Sequence, residues 1–328
     1  MRDLTLVLIK RKSKFASAEY ASPWSLRGNY VGLTLHAGGT CAHIRRMQTE
    51  IGRDEPYFDE GAMREALCEI GRRVWMREYV ASNDGNFSVR LSSDRVLATP
   101  TMVSKGFMRP EELAIVTLDG NQVSGPRPVT SELKMHLAIY RARPDVRAVV
   151  HVHPPHATAF AITRRPLPKC VLPEVEVLLG EIPMTPYETP GTHAFAEALL
   201  PYVRDHNAFL LTNHGAVTVG QDPYEAYYRM ETLDQYCRIL ILAAHIGNWQ
   251  QLDHEQVVSL LKIREKLGYR DRRLEEKDRP LCSPEVPPRR ASLEDTGRSL
   301  EGCAGPRHKH EELIAEITRR VLARLRQG

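Results

Sequence analysis

From Glu60 onward the apolar residues Met63, Leu67, Ile70 and Val74, with Ala66 between them, recur at helical spacing and predict an amphipathic helix ending near Tyr79. The period then changes. Residues Phe87 to Leu91 alternate, a Ser-Ser-Asp turn follows, and Arg95 to Thr99 complete the outline of a β-hairpin. A further strand, Leu113 to Leu118, stops at the turn signal Asp119 to Asn121. Thr130 and Ser131 read as an N-cap before a helix from Glu132 to Tyr140, which puts Glu132 in its first turn, beside free backbone amides suited to an anion. Val149 to His153 is rich in β-branched residues and reads as a strand, as do the stretches around Val175 to Leu179 and Phe209 to Val219. Helices are expected over Thr192 to Val203, Tyr224 to Ile246 and Glu255 to Leu267. Helices alternating with strands that are joined partly by hairpins predict an α/β fold with a mixed, mainly antiparallel central sheet and helices on both faces.

The two ends of the chain follow neither period. Residues 1–46 mix basic residues with Ser and Gly and read as a poorly ordered extension, with Met47 an alternative start and an organelle-type leader a third option. Near Leu274 the composition shifts, and residues 275–306, with five prolines, read as a disordered linker. Beyond it Leu313, Ile314, Ile317, Val321, Leu322 and Leu325 fall on one helical stripe. A helix of roughly four turns on a long tether is marginal alone and needs a partner, whether the main domain, a second tail or another protein. The expected division is therefore an extension over 1–55, a main domain over 56–274, a linker over 275–306 and a terminal helix over 307–328.

Charge refines this picture. The first 46 residues hold eight Lys/Arg against two Asp/Glu, and residues 275–328 hold eleven against ten, which leaves a slightly acidic middle of 26 against 29. A basic nucleic-acid surface is thus not expected; any bound phosphate should be small and met locally. No run of about eighteen apolar residues suggests a membrane span, and the basic stretch after Leu4–Ile9 comes in the wrong order for a secretory signal, so a cytoplasmic location is expected. Six cysteines lie far apart without a Cys-x-x-Cys pair, so they are expected to be reduced, mostly packing residues.

The candidate chemistry sits in Val149–His153. In a strand His151 and His153 share a face, and two adjacent imidazoles suit a metal, although two polar residues on a wet face would look the same. His214 in the strand-like run from Phe209 and the upstream carboxylate Glu132 change the balance: three neutral imidazoles with an open position describe a catalytic zinc site. Such a metal can polarise a carbonyl and stabilise the enediolate left when a neighbouring proton is removed, with Glu132 the candidate base. Hydrolysis would use the same metal, but no His-Glu-x-x-His motif favours it. His136, one turn after Glu132, is expected to be packed or solvent-facing, and Lys105 to be either a phosphate partner or a solvated loop lysine. His156 is expected to start a helix.

Several motifs together resemble the class II aldolase/adducin family over about residues 60–270: Gly85 to Arg90, Thr99-Pro-Thr101, Ser131-Glu132, Val149 to His153, Pro186-Tyr187 with Gly191-Thr192, and Asn213-His-Gly215. The resemblance is nearest to L-fuculose-phosphate and L-rhamnulose-phosphate aldolases, which implies cleavage of a ketose 1-phosphate to dihydroxyacetone phosphate and L-lactaldehyde. It implies Zn2+ on His151, His153 and His214, Glu132 as catalytic acid/base, and Tyr187 assisting at the aldehyde oxygen. It also implies phosphate binding by Asn86, Thr101, Thr130 and Ser131, and a homotetramer with sites at subunit interfaces. Two positions depart from the family pattern: Met102 stands where a Gly is usual, and Gly268-Tyr269 reverses a Tyr-Gly whose tyrosine reaches a neighbouring subunit.

Within the family, ribulose-phosphate 4-epimerases carry aspartate at the Glu132 position, methylthioribulose-phosphate dehydratases share the zinc and glutamate, and adducin-like scaffold proteins lack the triad. The terminal helix is similar to encapsulation peptides, which implies a shell protein bound through residues 308–328 and a place in the lumen of a bacterial microcompartment.

Overall fold

The computed structural model describes residues 56–282 except 248, 277 and 278. The N-terminal extension, most of the linker, the terminal helix, Cys41 and Cys303 lie outside the described residues.

Helix α1 (Glu60–Met76) starts where the side chain of Asp59 accepts from the Ala62 amide and buries the stripe Met63, Leu67, Ile70 and Val74. Strands β1 (Asn86–Arg90), β2 (Arg95–Ala98), β3 (Ala114–Thr117) and β4 (Gln122–Ser124) follow as a meander, then helix α2 (Leu133–Ala142) and strand β5 (Ala148–Val152). Helix α3 (Pro155–Thr163), a two-residue strand β6 (Met184–Thr185), helix α4 (His193–Val203), and strands β7 (Ala208–Leu211) and β8 (Gly215–Gly220) complete the sheet region. Helices α5 (Pro223–Ile246), α6 (His254–Lys266) and the short α7 (Arg272–Glu275) close the described chain.

The eight strands lie in the order β4-β3-β2-β1-β5-β8-β7-β6, antiparallel at every pairing except β6 with β7. Side chains alternate across this sheet, and the two faces bury separate cores. Phe87, Val89, Val150 and Val152 pack on α1, α3 and α5, while Val96, Val149 and Val217 pack on α2 and α4. The expected mixed, mainly antiparallel sheet with helices on both faces is the architecture found.

Three expectations need correction. Val175–Leu179 is a turn of π-helix, not a strand. A five-residue apolar run reads equally as strand or helix by periodicity, and here Pro173 and Gly180 bound a segment too short to extend across the sheet. The Phe209–Val219 stretch is a hairpin that breaks at Thr212–His214, so His214 lies in a turn. Lastly, within the stretch expected to be unstructured from residue 275, Arg279 and Cys282 are bonded to the main domain.

That last segment forms a latch. Arg273, fully buried, pairs with Glu176 at 2.6 Å and Asp271 at 2.9 Å, and Arg279 pairs with Glu181 at 2.6 Å. Cys170 and Cys282 form a disulfide across 112 residues, against the expectation of reduced thiols. Their separation in sequence hides the pairing. Cys68 and Cys237 are free and buried, as packing residues should be.

Candidate metal centre

Antiparallel pairing sets Asn86 on β1 directly opposite His151 on β5. His151 therefore faces the α2 side of the sheet, and His153, two residues on, turns the same way. Their Nε2 atoms are 3.3 Å apart. The third imidazole arrives on the three-residue turn between β7 and β8, where Asn213 adopts positive φ (55°), a conformation asparagine tolerates better than most residues. The turn is pinned from several sides: Thr212 donates to the Thr185 carbonyl at 2.5 Å, the Asn213 amide to Ala161 at 3.2 Å, and Arg164 to the Asn213 side chain at 3.1 Å. Gly215 makes the approach possible, since a Cβ there would come within 2.6 Å of both the His153 ring and the Val152 carbonyl.

Glu132 completes the centre. It is the N-cap residue of α2, one position earlier than the first-turn placement expected, and its amide donates to Thr130 Oγ1 at 3.3 Å. Its carboxylate lies 3.1 Å from His151 Nε2 through Oε2 and 3.4 Å from His214 Nε2 through Oε1. Asn86 donates to Oε2 at 2.7 Å.

Second partners orient the rings. His151 Nδ1–H donates to the Ala216 carbonyl at 2.9 Å, which turns its Nε2 lone pair toward the shared centre. His153 Nδ1 lies 3.5 Å from Asp84, which follows directly on Asn83 in the loop before β1. Gly85, at φ +74°, lets that loop run against the His151 carbonyl. Sequence reasoning missed Asp84, because a lone aspartate in a turn carries no periodic signal.

Electrostatics separates the groups by role. Burial pushes His153 down to about 4 and His214 down to about 3, and the charge of His151 adds to both shifts. Burial alone would raise the Glu132 carboxyl, but His151, Asn86 and His214 outweigh it and hold the group well below the usual carboxylate range. Burial likewise opposes protonation of His151, yet the Glu132 charge and the Ala216 carbonyl raise it. Burial thus favours neutral His153 and His214, whereas the ionised Glu132 favours the charged form of His151.

These donors fit a zinc ion. Ligand atoms of His151, His153 and His214 lie within 4.8 Å of one another. The 3.3 Å between the first two matches the edge of a tetrahedron with Zn–N bonds of roughly 2.0 Å. Nδ1 of His214 is buried and lacks a hydrogen-bond partner among the described residues. Three nitrogens leave one position open for a ligand, as a catalytic site requires.

The remaining expected site residues are placed unevenly. An isolated bridge between Pro100 and Val129 sets the segments carrying Thr101 and Thr130 side by side, and Ser131 is exposed just before α2. Asn86 is committed to Glu132 and His136, which makes it an orienting group for the carboxylate before any role with phosphate. Tyr187 lies 52% exposed in the loop after β6. Tyr269 donates to Glu225 at 2.9 Å and lines a cavity of 370 Å³ with Gly220, at the far end of β8 from the centre. Met102 takes up φ +56°, the conformation a glycine would adopt without strain, and leaves its side chain exposed. Lys105 is neither a solvated lysine nor free for phosphate: it is buried, donates to the carbonyls of Asn83 and Val103 at 2.9 and 2.7 Å, and is pushed down to about 8 by burial. His156 opens α3 as expected, held at 2.9 Å by Asp234, which also caps the helix.

Comparison with known proteins follows the same lines. The family profile of the Class II Aldolase and Adducin N-terminal domain matches residues 65–241. A 3-oxo-tetronate 4-phosphate decarboxylase of Escherichia coli is 34% identical over 187 residues, 56% of this chain and 88% of that protein. An L-fuculose phosphate aldolase of Methanococcus maripaludis is 37% identical over 173 residues, 53% of this chain and 93% of the relative. Among solved structures, YgbL of Klebsiella pneumoniae, a candidate aldolase/epimerase/decarboxylase, aligns with a TM-score of 0.58 at 32% identity over 62% of this chain and 99% of that one. An L-fuculose 1-phosphate aldolase aligns with a TM-score of 0.58 at 26% identity over 63% and 97%.

Proposed function

Since the chain belongs to the class II aldolase and adducin family, we propose that it is a metal-dependent lyase that cleaves a carbon–carbon bond beside the ketone of a small phosphorylated sugar derivative. The observation that carries this reading is the convergence of three imidazoles on an ionised, buried carboxylate. A Zn2+ held by His151, His153 and His214 would supply Lewis-acid charge for the substrate oxygens that become negative during cleavage. Glu132 moves the proton: its carboxylate takes a carbon-bound proton in the condensing direction and returns it in the cleaving one. Thr101, Thr130 and Ser131 would receive a phosphate through their hydroxyls, together with free amides at the start of α2, a role supported by the bridge that joins the Thr101 and Thr130 segments.

At finer grain the reading is an aldolase acting on L-fuculose 1-phosphate or L-rhamnulose 1-phosphate, in a homotetramer with sites at subunit interfaces, where Tyr187 assists removal of the proton from the substrate hydroxyl that becomes the aldehyde oxygen. The exposure of Tyr187 in a single chain is compatible with such a role. A second reading has its own support in the decarboxylases at 34% identity. Loss of carbon dioxide from a 3-oxo acid moves the same electron pair toward the same ketone, and dispenses with a group to take the proton of a hydroxyl that becomes an aldehyde. An adducin-like scaffold role leaves Glu132 and the triad without use, the family's epimerases carry aspartate where this chain has Glu132, and a dehydratase would use the same zinc and glutamate.

Metal analysis of the purified protein, followed by cleavage assays on the two sugar phosphates and on 3-oxo-tetronate 4-phosphate, tests the proposal. One zinc per chain with turnover of one of the three, lost in Glu132→Gln, is the expected result. Absence of bound metal together with no cleavage of any substrate would overturn it. Tyr187→Phe separates the two readings, slowing aldol cleavage and leaving decarboxylation intact. Residues 308–328 are proposed to bind a microcompartment shell protein; their deletion should abolish co-purification with shell proteins and leave catalysis unchanged.

A further inference from the structure

Four buried hydrogen bonds run in series from α2 back to Glu132. Tyr140 OH and Ser88 Oγ are 2.8 Å apart, Ser88 Oγ and His136 Nδ1 2.7 Å, His136 Nε2 and Asn86 Oδ1 2.6 Å, and Asn86 Nδ2 and Glu132 Oε2 2.7 Å. Tyr140, Ser88, His136 and Asn86 are all buried, His136 and Tyr140 completely. Asn86 and Ser88 stand on one face of β1, and Glu132, His136 and Tyr140 follow at four-residue intervals along α2.

The direction of every bond follows from the carboxylate. An ionised Glu132 only accepts, so the Asn86 group beside it is the amide nitrogen and the carbonyl oxygen faces His136. That oxygen also only accepts, which places a proton on His136 Nε2. Burial keeps the ring neutral, pushing it down to about 3, so Nδ1 carries a lone pair. Ser88 must then donate to Nδ1, and its oxygen is left to accept from Tyr140. Each donor points toward Glu132.

We propose that Tyr140, Ser88 and His136 are positioning residues that act through Asn86 to hold Oε2 of Glu132 and leave Oε1 as the proton-transfer atom. The assignment rests on Glu132 being the base, as proposed above. An amide held at its far end cannot turn its oxygen toward the carboxylate without breaking two bonds, so the chain fixes both the rotamer of Glu132 and the identity of its free oxygen. Ordinary satisfaction of buried polar groups would require partners, but not one uninterrupted direction ending on the base.

The test begins with the unaltered zinc-loaded protein. Histidine ¹⁵N NMR should show His136 neutral with its proton on Nε2 between pH 6 and 8; an Nδ1–H tautomer or an imidazolium would overturn the chain. This measurement stands whether or not a sugar phosphate is cleaved, so its failure is distinct from failure of the lyase reading. Ser88→Ala should lower kcat by about 10-fold or more with KM within about twofold and zinc content unchanged, in the range of groups that orient a site through another residue. His136→Gln, which can still donate toward Asn86, should retain more kcat than His136→Phe. Equal losses in folded, zinc-loaded His136→Gln and His136→Phe, or a Ser88→Ala effect confined to KM, would overturn the positioning role.

Discussion

At the C-terminal latch each buried charge meets its opposite, whereas at the histidine centre the buried groups face one another across a common point. Arg273 has Glu176 and Asp271 within 2.9 Å, and Arg264 lies 3.3 Å from Asp271. His151 and His153 bring two nitrogens to 3.3 Å, and His214 keeps one nitrogen without a protein partner among the described residues. Both clusters withdraw polar groups from water, and both need compensation. The latch supplies its own, from residues 97 positions apart in the case of Arg273 and Glu176. The centre leaves room for a cation to supply it. Nε of Arg264 also lacks a hydrogen bond among the described residues, so what separates the two regions is that the latch pairs opposite charges, whereas the centre turns like groups toward one point.

The comparison is broken if the two clusters answer alike to mutation. The largest effect is expected from the centre: His151→Ala should remove bound zinc and reduce turnover to background, and Glu132→Gln should keep zinc while lowering kcat by roughly 10²- to 10⁴-fold, the usual contribution of a general base. Metal analysis beside steady-state kinetics reads both. At the latch Arg273→Met should cost about 3–5 kcal/mol by leaving Glu176 without its counter-charge in the interior, visible as a lowered denaturation midpoint, with zinc affinity of the folded protein unchanged. Loss of zinc in that variant would show that the regions are one unit.

A smaller effect concerns acid. Burial would raise the Glu181 carboxyl, but His206, Lys169 and Arg279 outweigh it and hold the group well below its ordinary value. A depressed folded value means that the stabilisation is fully present above the unfolded value of about 4.3 and is lost as pH falls below it. Melting temperatures of wild type and Glu181→Gln should hence differ most above about pH 5 and approach each other toward pH 3; a gap that widens in acid would refute the pairing. The smallest change is expected at the exposed Met102, where Met102→Gly relieves a left-handed residue and should stabilise by about 1 kcal/mol. Chemical denaturation resolves that difference, and a destabilised glycine variant would show that the methionine side chain packs.

Sequence made the centre more legible than the latch, for physical reasons. His151 and His153 announce themselves because a strand repeats every two residues, and Glu132 because Thr130 and Ser131 mark a helix start. Helices with long apolar stripes, such as Glu60–Met76 and Pro223–Ile246, were bounded to within a few residues. Val175–Leu179 was misread because five apolar residues carry no decisive period. The Cys170–Cys282 bond and the pairing of Arg273 with Glu176 join distant positions, and a composition rich in proline concealed them. His136 was half visible: its spacing from Glu132 was plain, but only the fold shows that Ser88 and Asn86 meet it.

The packing of β1 across α2 has a metrical consequence. Two residues of strand advance about 6.6 Å and four residues of helix about 6.0 Å, so Asn86 and Ser88 keep step with His136 and Tyr140 to within about half an ångström. Like a vernier, the two scales agree over one interval and drift apart over the next. Arg90, two residues beyond Ser88, already reaches the backbone carbonyl of Tyr140, at 3.3 Å, in place of a side chain. The next helical step would fall on Pro144, beyond the end of α2 at Ala142, so the polar ladder is as long as the helix that carries it.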